Sequence, residues 1–398
     1  MAVLNPADAR EVCAIVGEAV AAGATLAVEG GASKRGLGRP VTATHRLSLA
    51  KLDGIVDYAP SELVLTARAG TALAVIEALL AQHGQHLAFE PPDTSALLGS
   101  GAPTLGGLVA CNLAGPRRLR AGGCRDHVLG IEAVTGFAET IKAGGKVVKN
   151  VTGYDLPKLF AGSYGTLGVM TAITMKVLPR PEKTRTVLVF GLDGGAAGTL
   201  MTELARGPLD ASALAYLPRA VAARSAVGYV AGAGSSVLAA RLEGPPRSVL
   251  ARTDAARALL GTHGAIEELH GHNSTALWRE IGFGALLAEP AARLVWRLSV
   301  PPAQGAAALA ALEPAGAEGY LDVAGGALWA AADGHVPMHD LAARYGGTAM
   351  LIRASAELRA RAPVFAPQAP ALAALDRRVK QAFDPKGVFE PGRRVEGA

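Results

Sequence analysis

The stretch Glu29-Gly30-Gly31-Ala32-Ser33-Lys34-Arg35-Gly36-Leu37-Gly38 decides how the rest of the chain is read. It follows a short apolar run, residues 25–28, that reads as a strand. It precedes Arg39-Pro40-Val41-Thr42-Ala43-Thr44. A P-loop needs Lys and Ser or Thr directly after its last glycine, and here Ser33 and Lys34 sit inside the loop. A Rossmann fingerprint needs a helix straight after the glycines, and proline with β-branched residues opposes one. The stretch is therefore a glycine-rich turn between two strands. Successive amide N–H groups in such a turn form a nest for an anion, and glycine allows close approach of a ligand. Ser33 adds a hydroxyl and Lys34 a cation. A plain surface turn has the same composition, so this loop alone leaves both readings open.

Two further small-residue loops tip the balance. Gly101-Ala102-Pro103-Thr104-Leu105-Gly106-Gly107 sets Thr104 beside paired glycines that would let the chain lie flat against a planar ligand. Gly162-Ser163-Tyr164-Gly165-Thr166-Leu167-Gly168 runs into Val169. Three such loops between residues 30 and 168 exceed ordinary punctuation. Around them the pattern predicts a helix over residues 8–22 and strands at 63–69, 87–89, 128–134, 146–148 and 169–178. A helix is predicted from Gly70-Thr71 to about His83. After Pro181 the composition changes to strands alternating with Ala-rich helices, in a strand–helix–strand–strand–helix order that occurs twice. Strands are predicted at 183–191, 212–217, 235–241, 293–300, 318–323, 327–332 and 347–353. Helices are predicted at 195–206, 246–261, 303–312 and 338–344. This pattern reads as an antiparallel sheet with helices on one face. A last helix, 369–383, carries Leu372, Leu375, Val379 and Phe383 on one stripe.

The loops resemble the FAD-binding domain of the vanillyl-alcohol-oxidase (p-cresol methylhydroxylase) superfamily, and within it the FAD-binding subunits of bacterial glycolate oxidases. The matching residues are Gly30 to Lys34, Glu90-Pro91-Pro92, Thr104 to Gly107, Gly115 to Arg118, Gly122 to Gly130, Gly144 to Leu156 and Gly165 to Gly168. The tail Phe383-Asp384-Pro385 with Pro391-Gly392-Arg393 is similar to the family's return to the flavin domain. The resemblance implies an α+β fold: a PCMH-type FAD-binding domain of two α+β subdomains (1–181), an antiparallel-sheet cap (182–355), and a C-terminal helix and tail packing back (356–398). It implies that Gly30, Gly31, Ala32, Ser33 and Lys34 hold the FAD pyrophosphate. Thr104, Gly106, Gly107 and Asn112 would line the ribityl and isoalloxazine region, with Gly168 and Val169 near the adenine. Pro92, Gly101 and Gly115 are expected at the cofactor as well. FAD is expected without a covalent bond, since no His or Cys lies between Gly30 and Gly38. Two positions depart from the family pattern: Glu390 stands where many relatives have Asn, and Tyr164 where many have an acidic residue.

The resemblance further implies oxidation of a small 2-hydroxy acid, glycolate first. Electrons would pass through FAD to a second flavoprotein subunit and an iron–sulfur subunit. A stand-alone D-lactate or 2-hydroxyacid dehydrogenase and a non-catalytic FAD-binding scaffold are the alternatives. The histidine-rich metal motif of related dehydrogenases is absent, which counts against the first of these, and the intact loops count against a scaffold that has lost FAD. No base stands out in residues 182–355, so the isolated chain is expected to hold FAD but turn over glycolate poorly.

The remaining features narrow the class. The chain has 398 residues, a net charge of +5 and three cysteines, Cys13, Cys111 and Cys124. No CxxC pair occurs, which argues against a cluster or zinc held by this chain alone. No apolar run is long enough for a transmembrane helix, and residues 1–8 carry no secretory pattern. The expected place is the cytoplasm, peripheral on the inner face of the membrane through partners. Arg117, Arg118, Arg120 and Arg125 form a basic cluster that reads either as a solvated loop or as a surface for a partner or a reduced flavin. No aromatics interleave it, which argues against nucleic acid. His270 and His272 lack a third ligand and read as a loop pair, so no metal is expected. Trp278 and Trp296 read as cap core.

Overall fold

A computed structural model of the chain describes residues 1–99, 101–146 and 153–394. Asp8 starts the first helix, Ala9–Ala22. Its carboxylate accepts from the Arg10 and Glu11 amides at 2.8 and 2.9 Å, and Gly23 ends the helix in the left-handed region. Val12, Val16 and Ala19 form its buried face. The strand Leu26–Glu29 follows and pairs in parallel with His45–Ser48, which pairs in parallel with Ala2–Leu4. The decisive loop thus crosses between two parallel strands.

A second, five-stranded antiparallel sheet runs in the order Ile55–Ala59, Val64–Arg68, Val169–Lys176, Val128–Val134, Thr140–Gly144. One apolar core joins both sheets, from Val12 and Leu26 to Ile131 and Val169. The rest of the chain builds an eight-stranded sheet. Its first half is Lys183–Phe190, Gly194–Arg206 (helix), Ala213–Leu217, Val237–Gly244, Pro246–Leu260 (helix) and Ile266–His270. Its second half repeats that order with Leu294–Ser299, Gly305–Ala310 (helix), Ala317–Asp322, Ala327–Ala332, Met338–Arg344 (helix) and Thr348–Arg353. The halves meet at Tyr216 and Leu321, so the sheet order mirrors itself about that seam. The four Ala-rich helices cover one face. The other face packs against Leu37, Leu97 and Tyr164 of the first part of the chain, with Leu277, Trp278 and Ile281 beside them. Trp278 and Trp296 are buried, as expected.

The C-terminal helix Pro370–Phe383 returns to the first part of the chain. Phe383 meets Phe160 edge-on, and Lys380 Nζ donates to the Thr166 and Phe389 carbonyls at 2.8 and 3.0 Å. The tail then docks on strand Leu26–Glu29: the Leu26 amide donates to the Val388 carbonyl at 2.7 Å, and the Glu390 amide to the Leu26 carbonyl at 3.0 Å. The α+β fold, the antiparallel-sheet cap and the returning helix are therefore present.

Several local expectations need correction. Residues 87–89 are loop, and the strand is Gln85–His86, paired with Leu178–Pro179. The strand placed at 146–148 is Thr140–Gly144; residues 147 and 148 lie outside the described residues, as does the 147–152 part of the Gly144 to Leu156 motif. His270 and His272 are not a loop pair. His270 ends a strand and its Nε2 sits 2.9 Å from Glu268, while His272 lies in the first turn of helix Gly271–Gly282. On the last helix only Val379 and Phe383 reach the core; Leu372 and Leu375 face solvent.

Candidate functional site

The first loop leans on the second. A Cβ on Gly31 would sit 1.8 Å from the Ala102 carbonyl oxygen, so glycine is required there by backbone packing. The backbone of Gly31 stays out of the left-handed region that Ala32 occupies (φ 58°). The glycine thus serves loop-to-loop contact rather than leaving room for a ligand. Among the described residues, the amide N–H groups of Gly30, Gly31, Ala32, Ser33 and Lys34 have no hydrogen-bond acceptor. Five consecutive free donors converge on one cleft, which also takes in Thr104, Gly106, Gly107, Gly168 and Tyr164. The cleft has a volume of about 100 Å³.

Lys34 faces this cleft and is almost fully buried. Its Nζ donates to Ser33 Oγ at 3.0 Å, and among the described residues it has no carboxylate partner. Burial pushes its pKa down. A buried ammonium without a counterion is costly, so the site fits an anion. Glu390, also in the wall, is held by the Val28 amide at 2.6 Å, with Arg393 Nε 3.8 Å away; burial raises its pKa.

The second loop does not lie flat. Thr104 caps a short helix, Leu105–Cys111, its Oγ1 accepting from the Gly107 amide at 3.4 Å. A Cβ on Gly106 would meet Ala69 at 2.9 Å, so this glycine lets the helix approach strand Val64–Arg68. Asn112 ends the helix in the left-handed region, and its Oδ1 accepts from the Arg125 amide at 2.9 Å.

A second, larger cavity of about 1230 Å³ opens between Pro91-Pro92 and helix Gly271–Gly282. Its wall takes in Glu90, Arg117 and Arg241, three members of a four-residue ion network completed by Glu243 and joining the two parts of the chain. Arg241 grips Glu90 with both arms, at 2.8 and 2.9 Å. Arg117 grips Glu243 at 2.9 and 2.7 Å, and the Arg117 amide donates to Glu90 at 3.0 Å. Bidentate geometry makes these the strong kind of pair. Burial works against the charge of Glu90 and Glu243, but Arg241 and Arg117 hold both carboxyls below their usual range. Arg241 also lies 4.8 Å over the Trp278 ring. His86, beside this network, is pushed down to about 4 by burial and by Arg117, which keeps it neutral at pH 7.

Residues 1–144 match a family model described as an FAD binding domain. Along nearly its whole length the chain is similar to glycolate oxidase subunit GlcE of Escherichia coli, with 39% identity over 95% of this chain and 95% of that one. The chain belongs to the GlcE family of glycolate oxidase subunits. A shorter match, 38% identical, joins 32% of this chain to 27% of glycolate oxidase subunit GlcD of Bacillus subtilis. The fold is that of p-cresol methylhydroxylase with substrate bound: TM-score 0.73 at 15% identity, over 99% of this chain and 88% of that one. The cofactor of this GlcE-family chain is FAD.

Within the GlcE-family chain, the site residues read from the sequence fall into three groups. Gly30 to Lys34, Thr104, Gly106, Gly107 and Gly168 line the narrow cleft. Pro92 and Gly115 line the larger cavity. Gly101, Asn112 and Val169 stand outside both linings. The basic cluster also divides: Arg117 serves the ion network, Arg120 pairs with Asp210 at 2.8 Å, and the Arg118 guanidinium has no acceptor among the described residues. Glu90 was read only as part of a motif, and Arg241 and Glu243 carried no signal at all. Among the described residues, no group of three or more His, Cys, Asp or Glu could hold a metal ion, and no helix is long and apolar enough to cross a membrane.

Proposed function

We propose that this chain is the FAD-carrying subunit of a complex that oxidises a small 2-hydroxy acid, glycolate first. One observation carries the reading. Five free amide donors and the buried, counterion-free ammonium of Lys34 share one cleft inside an FAD-binding domain. That donor set is complementary to a pyrophosphate. Bound there, FAD supplies the two-electron acceptor for the oxidation. Gly30, Gly31, Ala32, Ser33 and Lys34 hold the phosphates, and Thr104, Gly106, Gly107 and Asn112 border the ribityl chain and ring. Gly168 borders the adenine end, with Val169 next to it in the chain, and Gly101 backs the first loop at Gly31 and Ser33. The attachment is non-covalent, in keeping with a loop that has neither His nor Cys.

The relatives named as glycolate oxidase subunits support an assembly rather than a lone enzyme. The partners are a second flavoprotein subunit and an iron–sulfur subunit. They keep the complex in the cytoplasm, at the inner face of the membrane. The test is to precipitate the purified chain with acid and measure flavin in both fractions. Yellow colour in the supernatant is the expected result. Colour held in the pellet contradicts non-covalent binding, and no flavin even after incubation with FAD removes the cofactor reading. Reduction of a dye by glycolate or D-lactate, by the chain alone and with its partners, then separates subunit from stand-alone dehydrogenase.

A further inference from the structure

The sheet face that meets the FAD-binding part carries a polar row that the contacts above leave unused. Cross-strand register sets Tyr320 beside Trp329, Trp329 beside Arg297, and Arg297 beside Met350. Residues paired across strands share a face. The Tyr164 hydroxyl donates to Met350 Sδ at 3.5 Å, which places the row against the wall of the narrow cleft. Asp322, two residues beyond Tyr320, falls on the same face. The Arg297 guanidinium lies 5.8 Å over the Trp329 ring. Arg118, on helix Arg118–Ala121 of the opposite part, is near enough for its charge to act on Arg297.

Neither Arg297 nor Arg118 has a carboxylate partner or a hydrogen-bond acceptor for its guanidinium among the described residues. Both are part-buried. Arginine keeps its charge in proteins, and two like charges held together in a low-dielectric seam repel. Burial, then Arg118, pushes the pKa of Arg297 down to about 10, which leaves it cationic at neutral pH. A seam built only for packing would place apolar side chains here. Part-buried guanidinium forks without an acceptor mark a place for an anion at this seam, and a planar carboxylate matches such a fork. Asp322 is buried, with one oxygen taking the Val323 amide. The charged groups facing it are Arg297 and Arg241 from the sheet and Glu90 from the other side of the seam. Burial raises it to about 7.

We infer that Arg297 and Arg118 bind the carboxylate of the 2-hydroxy acid in this seam, and that Asp322 takes the proton of its hydroxyl. The inference rests on the oxidation proposed above. Oxidation breaks the C2–H and O–H bonds and forms a C=O bond. Bound FAD would supply the two-electron acceptor for the C2 hydrogen and its electron pair, and the hydroxyl proton would go to Asp322 and on to water. The substrate is therefore bound by this chain rather than by a partner alone.

The test titrates oxalate, a small dicarboxylate, into the FAD-loaded full chain, alone and with its partners, and follows the flavin absorption. Loss of a charge-assisted fork weakens binding about ten- to hundredfold. Arg297→Met and Arg118→Met should each weaken oxalate by that factor with flavin content and melting temperature retained. If Arg297→Met does not fold, Arg297→Lys serves, keeping the charge but losing the fork. Asp322→Asn should bind oxalate as the parent does and flatten the rise of kcat/KM through pH 7. The inference is overturned if oxalate leaves the parent's flavin spectrum unchanged or binds the Arg297 variant with parental affinity. It is also overturned if Arg297→Met loses FAD itself, since the pair then serves the flavin. A parent without any flavin would instead remove the reading it rests on.

Discussion

Arg241 and Lys34 are both buried cations, and the chain treats them in opposite ways. Arg241 has both arms on Glu90, with Arg117 and Glu243 closing the network. Lys34 has a single neutral hydroxyl, Ser33, and five free amides around it. Burying a charge is unfavourable unless something compensates it. Where the complement is built into the chain, the charge serves the fold: here it fixes how the cap sheet sits on the FAD-binding part. Where the complement is missing, the charge is a statement about a ligand. Arg297 and Arg118 belong with Lys34 on that measure.

The largest effect should come from opening the paired site. Arg241→Met leaves Glu90 and Glu243 short of compensation and should cost about 3–5 kcal/mol of stability, read by denaturant unfolding. The double variant Arg241→Met with Glu90→Leu should recover part of that loss. A single variant as stable as the parent would mean that the network does not hold the two parts together. Next comes Gly31→Val, whose side chain must drive the Ala102 backbone away. Overpacking of this kind costs about 1–3 kcal/mol, and FAD retention should fall with it. Parental flavin content and melting temperature would show that the two loops need not touch.

A smaller effect is set by pH. The folded chain holds the Asp322 proton up to about pH 7, whereas an unfolded aspartate releases it near 3.8. The neutral form therefore stabilises the fold fully below about pH 4, and this contribution is lost as pH rises through 7. Asp322→Asn lacks the loss, so its melting temperature should gain on the parent between pH 5 and pH 8. A constant difference would place Asp322 in a more polar setting. The smallest effect belongs to the exposed pair Arg120–Asp210. Arg120→Ala should change stability by less than about 1 kcal/mol, because solvent already screens it.

What the sequence made legible follows from distance along the chain. The Gly30 to Lys34 loop was readable because its donors are consecutive, and excluding the two helical phosphate motifs left a turn nest. The repeated strand and helix order after Pro181 was readable from local periodicity. The Glu90–Arg241 pair was not, because its members lie 151 residues apart and meet only when the two parts dock. Strand Ile266–His270 and the helix after it were missed because His270-Gly271-His272 reads as a turn. It is in fact the junction, with Gly271 at φ 38°. The short strands His45–Ser48 and Ile55–Ala59 were missed because each is brief and carries polar residues. Arg297 and Asp322 look ordinary in sequence; only sheet register brings them onto one face.

The central claim is that the unpaired charge at Lys34 is there for the phosphates of FAD. Titrating FAD into apo-protein, for the parent and Lys34→Met, tests it most directly when the melting temperature of each apo-protein is measured alongside. A lost charge-assisted contact is worth about 1.5–3 kcal/mol, so the variant should bind FAD about ten- to hundredfold more weakly. Its apo-form should melt no lower than the parent at pH 7, because removing a buried ammonium with a lowered pKa relieves a penalty. Parental FAD affinity combined with a lower apo melting temperature would contradict the account, and would make Lys34 part of the fold in the way Arg241 is.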